Sequence, residues 1–150
     1  MKVSVRITGT EAVRRMLEQI GRAPALKALA KTAEDLEQYA AEQASTHNKT
    51  GAIVRSTYLR RVSGGWEIGH DPQVAPHALF VHWGTRPHKI RPSRKKILRW
   101  PAGGKFIFAR EVNHPGYKGD PWLVRAAQQA PAIFERHVSE QLARITASRG

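Results

Sequence analysis

Between Arg86 and Arg110 the chain carries nine basic side chains and not one acid: Arg86, Lys89, Arg91, Arg94, Lys95, Lys96, Arg99, Lys105 and Arg110. A charge run of this density reads as a solvated surface, and it also keeps an edge strand from pairing with stray chains. Residues 51–120 hold 13 basic and 4 acidic side chains, against 8 and 6 in residues 1–50 and 4 and 2 in residues 121–150. Most of the formal net charge of +13 therefore sits in the middle of the chain, not on the flanking helical patterns. Such a field draws polyanions over about a Debye length, ~8–10 Å in physiological salt. Nucleic acid and an acidic protein surface both answer that description.

The remaining segments supply the core. At 150 residues with 41% hydrophobic content, the chain is expected to form one domain, 1-150, with the basic stretch as a hairpin arm at about 86-112. No apolar run approaches the ~20 residues that span a bilayer. The first residues alternate in polarity, unlike the continuous apolar centre of a secretory signal, so synthesis in a cytosol is expected. Without cysteine, disulfides and thiolate chemistry are excluded.

Val3, Val5 and Ile7 alternate with Ser4, Arg6 and Thr8, the period of a half-buried strand. Thr10 is placed to cap a helix from Glu11 with Ala12, Val13, Met16, Leu17 and Ile20 on one face, stopped by Gly21. A second helix opens near Pro24, with Leu26, Leu29, Ala30, Ala33, Leu36, Ala40 and Ala44 as its stripe. So much alanine implies a close neighbour. Ser56–Val62 and Trp66–His70 read as a hairpin turning at Ser63-Gly64-Gly65. A helical turn, Ala78–Gly84, leads into the arm. There Lys89-Ile90-Arg91 enters, and Lys96–Trp100 faces Lys105–Phe108 across Pro101–Gly104.

In that outer pair both sides of the second strand are apolar, which makes Trp100, Phe106, Ile107 and Phe108 an interface candidate, covered on both faces or only after assembly. Trp83 at its glycine stop reads as a core anchor before a partner contact. Asp120 is placed to cap, and Pro121 to start, a last helix with Leu123, Ala126, Ala127, Ala130, Phe134, Val138, Leu142 and Ile145 on its apolar face. Pro131 inside that pattern is expected to kink or split it.

Seven histidines invite a metal reading, but the nearest pairs, His77 with His82 and His82 with His88, lack the spacing of zinc ligands. They read as solvent-facing or hydrogen-bonded loop residues, and no metal or cofactor is expected. A metal-dependent nuclease would need His114 with Asp71 or Glu111, whereas His114-Pro115-Gly116 is accounted for as a turn. No serine-hydrolase or phosphate-loop motif is present.

Several short motifs follow one another in a specific order: Thr50-Gly51 ahead of a strand, an apolar helical turn from Phe80 closing at Trp83-Gly84-Thr85, a basic hairpin from Lys89 to Arg110, then His114-Pro115-Gly116 and Pro121-Trp122-Leu123 before the final helix. That order resembles the neck, or tail-component, family of tailed-bacteriophage structural proteins, which join the filled head to the tail. It departs at His82, where the family commonly carries an acid. The elements read above predict an α+β fold, with a small antiparallel sheet of hairpins packed against a long N-terminal-half helix and a C-terminal helix and an extended basic arm; the resemblance bears on the role.

It implies a non-enzymatic subunit of a homo-oligomeric ring. Head-completion or connector proteins would lie on one side, the tail terminator or tail tube on the other, and genomic DNA in the lumen. Its place would be the virion, reached from the host cytoplasm during assembly, with no membrane involved. Lys89, Arg91, Arg94, Lys95, Lys96, Arg99 and Lys105 would then face the channel or dock on a partner. The competing expectation is a sequence-independent nucleic-acid binder, with Trp83 and Trp100 available for stacking.

Overall fold

The computed structural model describes residues 2–8, 14–15, 18, 21–47 and 49–148. Strand β1 (Ser4–Thr8) pairs antiparallel with β3 (Gly65–His70), which pairs with β2 (Thr57–Val62), so that β3 is central in the order β1-β3-β2. The register puts Val5, Ile68 and Leu59 on one face, and Arg6, Glu67 and Arg60 on the other. Gly64 turns the hairpin with φ 78°. A one-turn helix, Ala52–Arg55, follows Thr50-Gly51 and delivers the chain to β2; its buried Ile53 joins the core.

Two long helices cover the apolar face. Helix α1 (Arg22–Ser45) has Gly21 at its N-cap and Pro24 in its first turn. The final helix runs from Trp122 to Ala147. Asp35 reaches Arg136 and His137, while Gln43 reaches Arg125, so the two helices lie antiparallel. The close neighbour that the alanines of α1 imply is this helix. Ala25, Ala28, Ala33, Ala40 and Ala44 are all buried, and small side chains let the axes approach. Leu36, Ala40 and Ala44 share a cluster with Ile68, Trp122, Leu123 and Ala126, and Ala28 and Leu29 meet Phe134 and Val138 further along.

Several expectations change in detail. Leu26 and Leu142 are exposed; the stripes turn instead through Ala25 and Ala28 on one helix and His137 and Gln141 on the other. The last helix is not split: it continues through Pro131, whose position is exposed. Pro121 stands at the N-cap rather than at the first helical residue, and Asp120 makes no side-chain cap. Its carboxylate holds His47 and Arg125 instead, while its carbonyl accepts the Trp122 N–H. The expected helix from Glu11 falls largely outside the described residues; Arg14, Arg15 and Glu18 are helical. No helix among the described residues is long and apolar enough to cross a membrane.

The arm leaves from a second short helix of this half, Ala78–Trp83, whose C-cap Gly84 has φ 80°. A Cβ at Gly84 would lie 2.4 Å from the Tyr117 carbonyl oxygen, so only glycine allows the two rails of the arm to meet there. Three antiparallel pairs build the rails: β4 (Gly84–Thr85) with β9 (Tyr117–Lys118), and β5 (His88–Ile90) with β8 (Val112–His114), form the stem. The tip is β6 (Leu98–Ala102) with β7 (Lys105–Ala109). The arm thus begins nearer the body than the expected 86-112, at Gly84 and Lys118. His114-Pro115-Gly116, expected as a turn, instead joins β8 to β9 along one rail without reversing the chain; the Gly116 N–H donates to His114 Nδ1 at 3.1 Å, and Gly116 has φ 87°.

Candidate functional site

The two stem pairs keep one register, from Gly84↔Lys118 to Ile90↔Val112. The tip starts at Leu98↔Ala109, so residues 91–97 on the ascending rail face only residues 110–111 on the returning one. The surplus chain bulges outward, and it carries Arg94, Lys95 and Lys96. Alternation confines side chains to two faces of a ribbon; an unpaired bulge releases them from that rule, and three cations gather there.

Most of the arm's charge has no counter-ion within the chain. Glu111 binds Lys89 and Arg91 at 2.7 and 2.6 Å, and these bonds, Lys89 first, hold its carboxyl below the usual range. Arg99 lies over the Phe106 ring at 4.3 Å. Arg94, Lys95, Lys96, Lys105 and Arg110 make no ion pair among the described residues, so the bulge and tip present a positive field to solvent.

The tip is also apolar and uncovered. Phe106, Ile107 and Phe108 are 55%, 44% and 60% exposed, and Trp100, paired with Ile107, is half-buried. Phe106 and Phe108 share one face, Trp100 and Ile107 the other. Of the two possibilities the sequence left open, cover within the chain is therefore excluded. Ala102 and Lys105 close the hairpin over Gly103-Gly104 alone, both at positive φ, a tighter turn than the four residues expected.

At the foot of the arm lies a groove of about 700 Å³. Phe80 and Val81 from the short helix, Pro87 and Ile90 from the ascending rail, and Tyr117 from the returning one line it. Phe80, Ile90 and Tyr117 are exposed. Trp83, expected as a core anchor, is 58% exposed, because the glycine stop turns it outward and puts His82 inside.

Beneath the groove, Trp122 is fully buried among three histidines, with ring centroids 5.6 Å from His47, 5.4 Å from His70 and 4.9 Å from His82. The indole N–H donates to His70 Nε2 at 2.9 Å, and His70 Nδ1 lies 3.0 Å from Ser56 Oγ, whose hydroxyl donates to the Ile53 carbonyl. Ser56 and His70 are spaced like a nucleophile and its base, but both are buried, and the indole occupies the imidazole's other nitrogen. The relay pins the Ala52–Arg55 helix, β3 and the last helix together.

His82 Nε2 accepts the Leu123 N–H, an orphan donor of the helix start, at 3.2 Å. Burial pushes His82 down to about 4 and lowers His70. The reading of the histidines as loop residues is thus corrected for His70, His82 and His137, which are buried. For His70 and His137 the signal was in the sequence: His70 continues the alternation of Ile68, and His137 lies one helical turn from Phe134.

The residues of the nuclease reading are engaged separately. Asp71 accepts the Gln73 N–H, Glu111 holds its two cations, and His114 stacks on His88 at 5.0 Å. Among the described residues no group of three metal-ligating side chains converges. Compared with protein-family models, curated proteins and solved structures, the chain matches none. What the fold and the site define is an α+β protein with a cationic, apolar-tipped arm.

Proposed function

We propose that the chain is a structural subunit of a tailed-bacteriophage virion, forming a ring at the head–tail junction that connects head-completion proteins to the tail and surrounds the DNA channel. One observation carries this reading: Phe106, Ile107 and Phe108 stand uncovered in the tip of a projecting hairpin. A folded chain that holds three large apolar side chains away from its own core holds them for another surface. The cations of the bulge, unpaired within the chain, suit a lumen through which a phosphate backbone passes without base readout. The motif order from Thr50-Gly51 to Pro121-Trp122 supports the family, and Gly84-Thr85 within it pairs with Tyr117–Lys118 where the arm leaves the body.

Heads and tails produced without this protein test the proposal by electron microscopy. Unjoined heads and tails are expected, with joining restored by added protein; infectious particles formed in its absence would refute it.

A second reading has its own support in the arm cations that make no ion pair among the described residues, Arg94, Lys95 and Lys96 of the bulge foremost: a sequence-independent nucleic-acid binder. Duplex binding across a salt series separates the two. Submicromolar affinity of the isolated subunit with a steep salt slope favours the binder, and weak binding favours the ring subunit.

A further inference from the structure

We infer that the 91–97 bulge is the arm's grip on a nucleic-acid phosphate backbone, and that Glu111 limits this grip by occupying Lys89 and Arg91 where a phosphate would otherwise sit. Resting on the nucleic-acid contact that both readings above contain, this assignment names the cations that make the contact and the acid that regulates it.

Between Asp71 and Asp120 the chain has one acid, Glu111, among ten lysines and arginines. Glu111 stands on the two-residue stretch of the returning rail that faces the bulge. One of its carboxylate oxygens meets Lys89 Nζ at 2.7 Å, and the other meets Arg91 Nε at 2.6 Å. The two cations flank Ile90, the last residue of β5, so the carboxylate bridges them where the bulge begins. A lysine and an arginine that donate to separate oxygens of one anion make charge-assisted bonds that a phosphate accepts equally well. Glu111 is thus the chain's own anion in a phosphate subsite.

The bulge itself has no such internal partner. Arg94, Lys95 and Lys96 are exposed and make no ion pair among the described residues. The kind of anion they suit follows from how little an exposed pair stabilises. A lysine meeting one carboxylate on an acidic protein surface gains little, because two solvated side chains must be ordered for a screened attraction. A phosphate backbone returns more per contact: its charge is dense enough to hold condensed counter-ions, and each phosphate neutralised releases about one of them. Three consecutive cations on an unpaired segment can follow such a backbone without fixed geometry and without reading a base.

Salt dependence counts these contacts. On duplex DNA the logarithm of the binding constant falls with the logarithm of salt by about 0.9 for each phosphate neutralised. The three bulge cations then account for about 2.7 of the slope. Lys89 and Arg91 add little while Glu111 holds them.

Anisotropy of a fluorescent random-sequence duplex, titrated with the full chain from low to physiological sodium chloride, measures the slopes. The variant carrying Arg94→Gln, Lys95→Gln and Lys96→Gln is expected to flatten the slope by about 2–3. The same loss of charge on the two long helices, by Arg22→Gln, Lys27→Gln and Arg144→Gln, is expected to leave it within about 0.5. Glu111→Gln is expected to steepen the slope by about 1–2 and to tighten binding at low salt roughly threefold or more. Glu135→Gln, which raises the net charge equally on the exposed side of the last helix, is expected to do neither. With Lys89→Gln and Arg91→Gln already present, Glu111→Gln is expected to change nothing, an outcome that a mere loosening of the bulge does not produce. All the substituted cations are exposed, so thermal melts like the parent's are expected.

A triple-glutamine bulge with the parent's slope overturns the assignment, as does a Glu111→Gln slope no steeper than that of Glu135→Gln; in both cases retained duplex binding leaves the nucleic-acid contact standing. A parent chain that binds no duplex even at low salt overturns it too, and turns the bulge towards an acidic protein surface. Slopes that shift as expected, alongside heads and tails that join without the protein, remove the ring reading and leave the grip.

Discussion

Glu67 shows how one side chain organises a surface. It points to the outer face of the sheet, yet it is only 4% exposed, because Lys2 and Arg60 each lie 2.7 Å from its carboxylate, Tyr58 donates to it at 2.7 Å, and Arg6 stands at 3.6 Å. These partners, Lys2 foremost, hold its carboxyl down to about 2. A depressed carboxyl contributes stability that is complete above its unfolded value, near 4.5, and is lost as the pH falls towards about 2. Since Lys2 and Arg60 are partly solvated, the contribution is on the order of 2 kcal/mol. Glu67→Gln is expected to lower the urea midpoint accordingly at neutral pH and to flatten the acid limb between those values.

His82 sets a separate window. Burial disfavours its charged form, so folding loses stability as the pH drops from 6.5, its ordinary value, to about 4. In His82→Phe that slope is expected to shrink. At neutral pH the variant should lose about 1–2 kcal/mol by stranding the Leu123 N–H. Denaturant titrations at several pH values check both. Neither effect was legible beforehand: alternation places Glu67 outside and His82 on a helical turn, but neighbours from distant segments set how each is solvated.

Among the elements, the last helix carries the plainest departure from local rules. Pro131 sits mid-helix without an N–H, and its position is exposed. Packing of Leu123 and Ala126 before it, and of Phe134 and Val138 after it, on one neighbouring helix holds the two halves in line. Pro131→Ala restores a backbone hydrogen bond and removes the ring's clash, so it is expected to raise stability by about 1–3 kcal/mol, seen as a higher melting temperature. The strands were easier to read than the helix faces. β1 to β3 fall within a residue of where alternation puts them, because a period of two tolerates no drift. The stripes of the two long helices shifted by a residue or two, because alanine-rich faces leave the direction of burial weakly marked.

Taken whole, the molecule divides its labour: the helices and three-stranded sheet hold the core, and the arm holds charge and apolar surface that the core does not use. Ile90 faces Val112, so an Asn-Gly turn can replace residues 91–111 without disturbing the stem. That variant is expected to unfold within ~1 kcal/mol of the parent, since surface changes away from packed groups have small effects, while losing the arm-dependent assembly that the ring reading proposes. Denaturant melts and sedimentation read these outcomes.

By itself the sequence determined that the basic stretch is a solvated hairpin, that two long helices flank it, and that glycine and proline punctuate both of its ends. Charge, period and turn chemistry act over a few residues, and a few residues suffice to display them. Only the tertiary structure decided that Trp83 faces out while Trp122 is enclosed by three histidines, that the cations bulge from a ribbon whose stem keeps one register, and that Phe80, Ile90 and Tyr117 form a groove. Each of these depends on which distant segments meet, and contact between residues far apart in the chain leaves no local pattern to read.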